Sequence, residues 1–383
     1  MSWIAGVGLT PFGRLEGEGT LDLMARAAQA ALDDAGLARG DIDGLVTGYS
    51  TTLPHLMLST VFAEHFGLAP SYAHAVQLGG ATGFTMAMLA HLLVAGGAAR
   101  HVLVAAGENR LSGQSRDAAV QTLAQVGHPV YEVPLGPTIP AYYGLVASRY
   151  MHEHGVGEPD LAALAVLMRR HAALHPGAQF RDPITVDDVL RSKPIAAPLK
   201  LLDCCPVSDG GAAVIVSRDR PGGAGIRIIG AGQAHTHQHV TAAPDLACFD
   251  GAAASARTAR EAAGVAVGDI EYAAVYDSFT ITLAILLEET GLAPRGAAGR
   301  LARDGHFDRD TEDGVPLNTH GGLLSYGHCG VGGAMAHLVE TVEQMRGAAG
   351  PRQVRRGPPA LAFLHGDGGV LSSHVSLVLE RAR

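Results

Sequence analysis

Aromatic residues are scarce in this chain, at 5%, and charged residues make up only 17%. No block of lysine or arginine interrupts a formal net charge of −9, which argues against a nucleic-acid surface. An anionic ligand would therefore need a local basic pocket. Cysteine is limited to four residues, two of them adjacent (Cys204, Cys205), with no disulfide framework and no paired C-x-x-C zinc spacing. No apolar run approaches the roughly 18 residues of a membrane span, and M-S-W-I-A-G-V-G lacks a basic segment leading into a long apolar one. A soluble cytoplasmic protein is the expectation. Small residues take up the room: Gly numbers 50 and hydrophobic residues reach 47%, a mix suited to closely packed α/β layers. At 383 residues the chain is too long for one small core, so two compact units or one large double domain are expected.

The order of segments repeats. Ile4 to Leu9 is a short apolar run with a buried-strand pattern, and Leu21 to Ala35 is Ala-rich with helical spacing, stopped by Gly36. Asp41-Ile42-Asp43 then leads into an apolar strand, Gly44 to Gly48. The segment Ser255 to Asp277 returns helix, Ala-Gly, Gly-Asp-Ile-acid and strand in the same order. Gly36 matches Gly264, Asp41 matches Asp269 and Ile42 matches Ile270, all at one spacing, while A-G-V-G at Ala5–Gly8 answers G-A-G at Gly230–Gly232. Glycine-rich turns enter helices at Gly79–Gly83 and Gly330–Gly333, and the strand Val102–Ala106 is answered by Leu361–Leu364. Two βα-rich halves follow, Met1–Arg220 and Pro221–Arg383, with predominantly buried sheets covered by helices. An insertion at about residues 109–201 lengthens the first half. It carries expected helices at Pro140–His154 and Asp160–His175, and insertions on such a scaffold usually build the substrate site.

Chemistry concentrates in Asn318–Met335, N-T-H-G-G-L-L-S-Y-G-H-C-G-V-G-G-A-M, followed by a helix-like run from Met335 to Met345. Glycines at this density bring backbone close to a ligand, and a helix N-terminus offers bare N–H groups to an anion or oxyanion. His328 can exchange protons near neutral pH; a tight structural loop is the plainer alternative. His74 and His128 could line a cavity or be structural. Asp277 could orient a histidine or cap a strand end, and Cys204-Cys205 is expected in the core. H-T-H-Q-H would put His235, His237 and His239 on one face of a strand, but no acidic or cysteine partner follows at ligand spacing, so no metal is expected.

The duplicated halves, L-L-D-C-C-P-V-S-D-G-G-A-A-V, Y-D-S-F-T at Tyr276–Thr280, N-T-H-G-G-L-L-S-Y-G-H and L-H-G-D-G-G at Leu364–Gly369 together resemble the thiolase superfamily. The resemblance is to its sterol-carrier-protein-x and lipid-transfer-type branch and covers essentially the whole chain. It implies an α/β thiolase fold, a five-layer αβαβα sandwich, dimerisation through the sheets and acyl-CoA ligands, with no bound cofactor beyond the coenzyme A thioester. It puts Gly80 where a thiolase carries its nucleophilic cysteine, His328 at the catalytic histidine, and His365 at the second catalytic cysteine.

Loss of the nucleophile costs on the order of 10⁶ in kcat, while an oxyanion donor is worth roughly 10²–10³. Cys329 or Thr82 could attack instead, against plainer roles as a small buried residue and a helix-terminal threonine. The third route has no covalent acyl-enzyme. His328, His365 and Asn318 would hold the thioester carbonyl and Tyr276 or Tyr326 would move protons, with Gly321, Gly322, Gly327, Gly368 and Gly369 around the thioester. That permits aldol or retro-aldol chemistry on a β-hydroxyacyl-CoA, in relatives usually together with a small OB-fold/zinc-ribbon partner. The competing expectation is a non-catalytic acyl-CoA or lipid-binding protein.

Overall fold

The computed structural model describes residues 2–382; Met1 and Arg383, the outer limits of the two expected halves, lie outside them. In chain order come β1 (Trp3–Leu9), α1 (Thr20–Ala35), β2 (Gly44–Gly48), α2 (Leu58–Phe66), β3 (Tyr72–Val76), α3 (Thr82–Ala95) and β4 (His101–Asn109). Then follow α4 (Arg116–Ala124), α5 (Ile139–His154), α6 (Glu158–Ala172), α7 (Val186–Arg191), a small hairpin of β5 (Pro194–Ala196) and β6 (Leu199–Lys200), and β7 (Asp209–Ser217). The remainder holds β8 (Gly225–His235), α8 (Asp250–Ala263), β9 (Tyr272–Val275), α9 (Thr280–Glu289), α10 (Ala298–Arg303), α11 (Val331–Arg346), β10 (Leu361–Gly368) and β11 (Ser373–Ala382). The helix expected from Met335 thus begins one turn earlier, at Val331.

The repeat is explicit in the packing. α1 lies so close over β1 that a Cβ on Gly6 or Gly8 would come within 2.1 Å of the carbonyl oxygens of Ala31 and Ala27. α8 lies over β8 in the same way, with Gly230 under Ala259 O (2.1 Å) and Gly232 under Ser255 O (2.2 Å). Both helices end on a left-handed glycine, Gly36 and Gly264, which Cβ-bearing residues adopt only with strain.

The strands form one mixed sheet in the order β3-β2-β4-β7-β1-β8-β11-β10-β9. β2 pairs in parallel with both β3 and β4, and β10 in parallel with β9; the other neighbours are antiparallel. The halves meet at β1 and β8 through only Trp3–Arg227 and Ile4–Ile226. On either side of that seam the order reads as a mirrored copy. β9 lacks a full counterpart of β3, and a lone parallel bridge from Ala273 to Leu317 stands in its place.

α1 and α2 cover the outer face of the first half and α8 that of the second, while α3 and α11 lie between and pack against strands of both halves. This completes the five layers. α3 reads T-G-F-T-M-A-M-L-A-H-L-L-V-A, apolar on nearly every side, and buries Phe84, Met86, Ala87, Ala90 and Val94 between the two halves of the sheet. Gly83 lets it close on Ala334 and Met335 of α11. Phe84, Met335, Leu338 and Val342 are fully buried there, each stabilising by about 1.5–3 kcal/mol relative to exposure.

Candidate active site

The loops at the ends of β4, β9 and β10 and the N-termini of α3 and α11 converge on one cavity of about 260 Å³. α3 begins at Thr82, whose hydroxyl ties down the preceding turn, donating to Gly79 O (2.6 Å) and accepting Leu78 N–H (2.8 Å). That side chain is fully buried and structural, so the Thr82 nucleophile is excluded. Ahead of α11, Gly322–Tyr326 winds into a single π-helical turn, a feature frequent at functional sites. It is anchored by Asp277, which accepts the N–H groups of Leu323 (2.7 Å) and Leu324 (3.3 Å). The chain then opens at Gly327 and delivers His328 into the cavity wall.

His328 and Tyr276 form the central pair, with Nε2 of the histidine 3.1 Å from the tyrosine Oη. Nδ1 of His328 accepts the Gly330 N–H at 3.1 Å, so the neutral ring carries its proton on Nε2 and donates to Tyr276. The tyrosine's own proton is then free for a ligand. Burial, helped by the nearby charge of Arg110, pushes His328 down to about 3, and burial holds Tyr276 well above the usual phenol range. At neutral pH the pair is uncharged.

Gly80 lies directly beside this pair. A Cβ at that position would stand 2.3 Å from Tyr276 Oη and 2.4 Å from the Asp367 carbonyl oxygen. The tyrosine fills the space a side chain at position 80 would need.

Asp367 also lines the cavity, 1% exposed, with burial raising its carboxyl well above the ordinary range. Its Oδ2 lies 3.1 Å from Tyr143 Oη, which lies 3.1 Å from Gly369 O. The Tyr143 hydroxyl is the donor, its one proton shared between the Asp367 carboxyl and the Gly369 carbonyl. Oδ1 of Asp367 has no partner among the described residues. Farther along the wall, the buried Glu108 accepts the Thr51 N–H (2.9 Å) and hydroxyl (2.7 Å), and Arg110 Nε stands 3.7 Å from its Oε2. Leu123, Val126, Ile139, Tyr143 and Phe279 make much of the rest apolar, four of them on α4 and α5 of the inserted region or just after α4.

Several expected site residues lie elsewhere. His365 is fully buried and bonded through Nδ1 to Ser376 Oγ (2.8 Å) and through Nε2 to His374 (3.3 Å), away from the cavity. Two residues on, Asp367 is the side chain of that strand that reaches it. Asn318 holds the Val275 backbone, Oδ1 accepting its N–H (2.8 Å) and Nδ2 donating to its carbonyl (2.7 Å). Tyr326 is buried against Phe12 and donates to Thr10 O (3.0 Å). Of the five glycines expected around the thioester, Gly369 alone lines the cavity. Gly321 packs on Ala172, Gly322 on Asp277, Gly327 on Ser208 and Gly368 on Leu78.

Cys329 is fully buried in a cluster with Phe12 and Ala336, away from the cavity, so it is no displaced nucleophile. Cys204 and Cys205, expected in the core, line the cavity instead; burial raises the Cys204 thiol to about 12 and Cys205 further, so both stay protonated. Asp277 orients His337 (3.1 Å), not His328. His74 is exposed on the edge strand β3, and His128 accepts Val130 N–H; neither lines the cavity. β8 ends at His235, so the three alternating histidines share no strand face: His235 meets Ser373, His237 meets Val370 O, and His239 stacks edge-on against His128. His175, Glu340 and Glu343 approach one another within 4.8 Å, but Arg352 bonds both carboxylates and balances their charge. Arg110 and Asp367 escaped the sequence reading, although Asp367 stands inside a motif it singled out.

A model of the thiolase N-terminal domain matches residues 2–220, and one described as thiolase C-terminal domain-like matches residues 232–381. An acetyl-CoA acetyltransferase of Methanothermobacter thermautotrophicus is 30% identical over 97% of this chain and 98% of its own length. A steroid side-chain-cleaving aldolase of Thermomonospora curvata is 33% identical over 90% of each chain. Among solved structures, the Ltp2-ChsH2(DUF35) aldolase superposes with a TM-score of 0.86 at 31% identity, over 100% of this chain and 98% of that one.

Proposed function

The chain belongs to the thiolase family, and from that premise we propose that it makes or breaks a carbon–carbon bond next to an acyl-CoA thioester without an acyl-cysteine. We read it as two thiolase-like halves, 1–220 and 221–383, whose loops share this one cavity. One observation carries the mechanism: the Tyr276–His328 pair occupies the space in front of Gly80. Acyl transfer through a side chain at that position has no room.

The pair suits proton movement at one oxygen. In retro-aldol cleavage the neutral Tyr276 hydroxyl, steadied by the His328 Nε2–H, relays a proton: its oxygen takes the β-hydroxyl proton of a β-hydroxyacyl thioester as its own proton is released toward the thioester α-carbon. The C–C bond breaks toward the thioester α-carbon, giving a carbonyl product and an enolate, and the released proton ends on that carbon. Asp367, its carboxyl raised well above the ordinary range by burial, adds a polar group next to the reacting centre. The 33% identical side-chain-cleaving aldolase supports the cleavage direction.

The edge of β3 carries no further strand among the described residues, which supports a homodimer formed by pairing that edge. The similarity to the Ltp2-ChsH2(DUF35) aldolase supports a small partner protein. No described helix is long and apolar enough to cross a membrane.

Incubation with β-hydroxyacyl-CoA esters, with and without the small partner, tests this reading. Mass spectrometry should find a shorter acyl-CoA and a carbonyl product in equal amounts, and intact protein of unchanged mass. An acyl adduct formed during turnover would sink the non-covalent mechanism. Thioester binding with no product would leave an acyl-CoA carrier.

A further inference from the structure

Arg110 is the first residue beyond β4 and one of the cavity-lining side chains. Its side chain is 10% exposed, and its buried Nε has no hydrogen-bond partner. Among the described residues the guanidinium donates no hydrogen bond at all. Its nearest countercharge, Glu108 Oε2, lies 3.7 Å from Nε, beyond hydrogen-bond reach, and both Glu108 oxygens are already held by Thr51. A guanidinium nine-tenths buried whose Nε has no acceptor is costly unless something fills the gap.

We propose that Arg110 is an anion-binding point in the wall of this cavity, made to take a carboxylate on the acyl group of the thioester substrate. This rests on the acyl-thioester reading above and narrows its substrate class to acyl-CoA esters with a second, free carboxylate. Guanidinium and carboxylate match as a two-pronged pair, satisfying two donors at once. Among the described residues that line the cavity, Arg110 is the one lysine or arginine, and Leu123, Val126, Ile139 and Phe279 offer no side-chain donor. Arg110 lines the same cavity as His328 and Tyr276, and its charge lowers the pKa of both. The reacting β-hydroxyl already has a partner of its own in Tyr276 Oη. Burial raises the Asp367 carboxyl well above the ordinary range, which weakens its repulsion of a second carboxylate.

Calorimetric titration of the full chain with succinyl-CoA, with butyryl-CoA (a methyl in place of the carboxylate) and with free CoA tests the assignment. The wild-type protein should bind succinyl-CoA at least about tenfold tighter than butyryl-CoA. That ratio should fall toward one in Arg110→Gln and be partly kept in Arg110→Lys. Equal affinities in the wild type, or a ratio that survives in Arg110→Gln, overturn the proposal. So does an equal weakening of free CoA and both thioesters in Arg110→Gln, which would put a CoA phosphate on Arg110. If neither thioester binds, the thioester reading fails and takes this one with it; if both bind alike, only the carboxylate fails. The wild-type ratio needs no variant, so the test stands even if Arg110→Gln does not fold.

Discussion

At the scale of single residues, the Tyr276 hydroxyl is the atom on which the chemistry turns. Tyr276→Phe removes the transferable proton and keeps the ring, so turnover should drop about 10²–10⁴-fold while thioester affinity stays near wild type. Product formation and calorimetric binding measured side by side would show the split; an equal loss in both would mean the hydroxyl only positions substrate. His328, held down to about 3 by burial, stays neutral throughout the physiological range. The kcat/KM profile of cleavage should therefore lack an acid limb near the ordinary histidine value of about 6.5. A limb there that disappears in His328→Gln would refute the neutral-imidazole assignment. Gly80→Ala puts a methyl within 2.3 Å of Tyr276 Oη and 2.4 Å of backbone. It should abolish turnover and destabilise the fold by about 1–3 kcal/mol, read from denaturant midpoints.

At the scale of elements, alternation on one strand separates what was legible in the sequence from what was not. The repeat was readable because the glycines that let α1 and α8 press on their strands recur in register. His328 was readable because a glycine-rich loop entering a helix is a local signal. His365 and Asp367 share a face of β10, about 7 Å apart, and only the second lies at the strand's open end. Nothing local in L-H-G-D-G-G says which one reaches the cavity; the packing of α5, which brings Tyr143 to Asp367, decides it. Asn318 was misread for a similar reason: at a positive φ of 43° its side chain turns inward to clamp β9. Asn318→Ala should cost about 2–4 kcal/mol in stability from two lost buried hydrogen bonds, with KM little changed. A normal melting curve with impaired turnover would restore the catalytic role.

At the scale of the whole molecule, buried histidines make the fold acid-sensitive. Burial holds His171, His175 and His374 at about 4 and His328 at about 3, against about 6.5 in the unfolded chain. Between those values the unfolded state binds more protons, so stability falls as pH falls from 6.5 toward 4, each group contributing a loss on the order of 3 kcal/mol. Melting temperature followed over that interval should decline steeply; a flat profile would show that these rings have access to water. The same scale reveals what the central layer means for ancestry. α3 and α11 each bury against strands of both halves, whose strands meet through only two residue pairs. A half-length chain on its own would leave the inner face of its sheet and one side of its helix wet. Two copies of such a chain, placed face to face, would shelter both surfaces, so a fused pair of identical subunits is the simplest parent of this molecule.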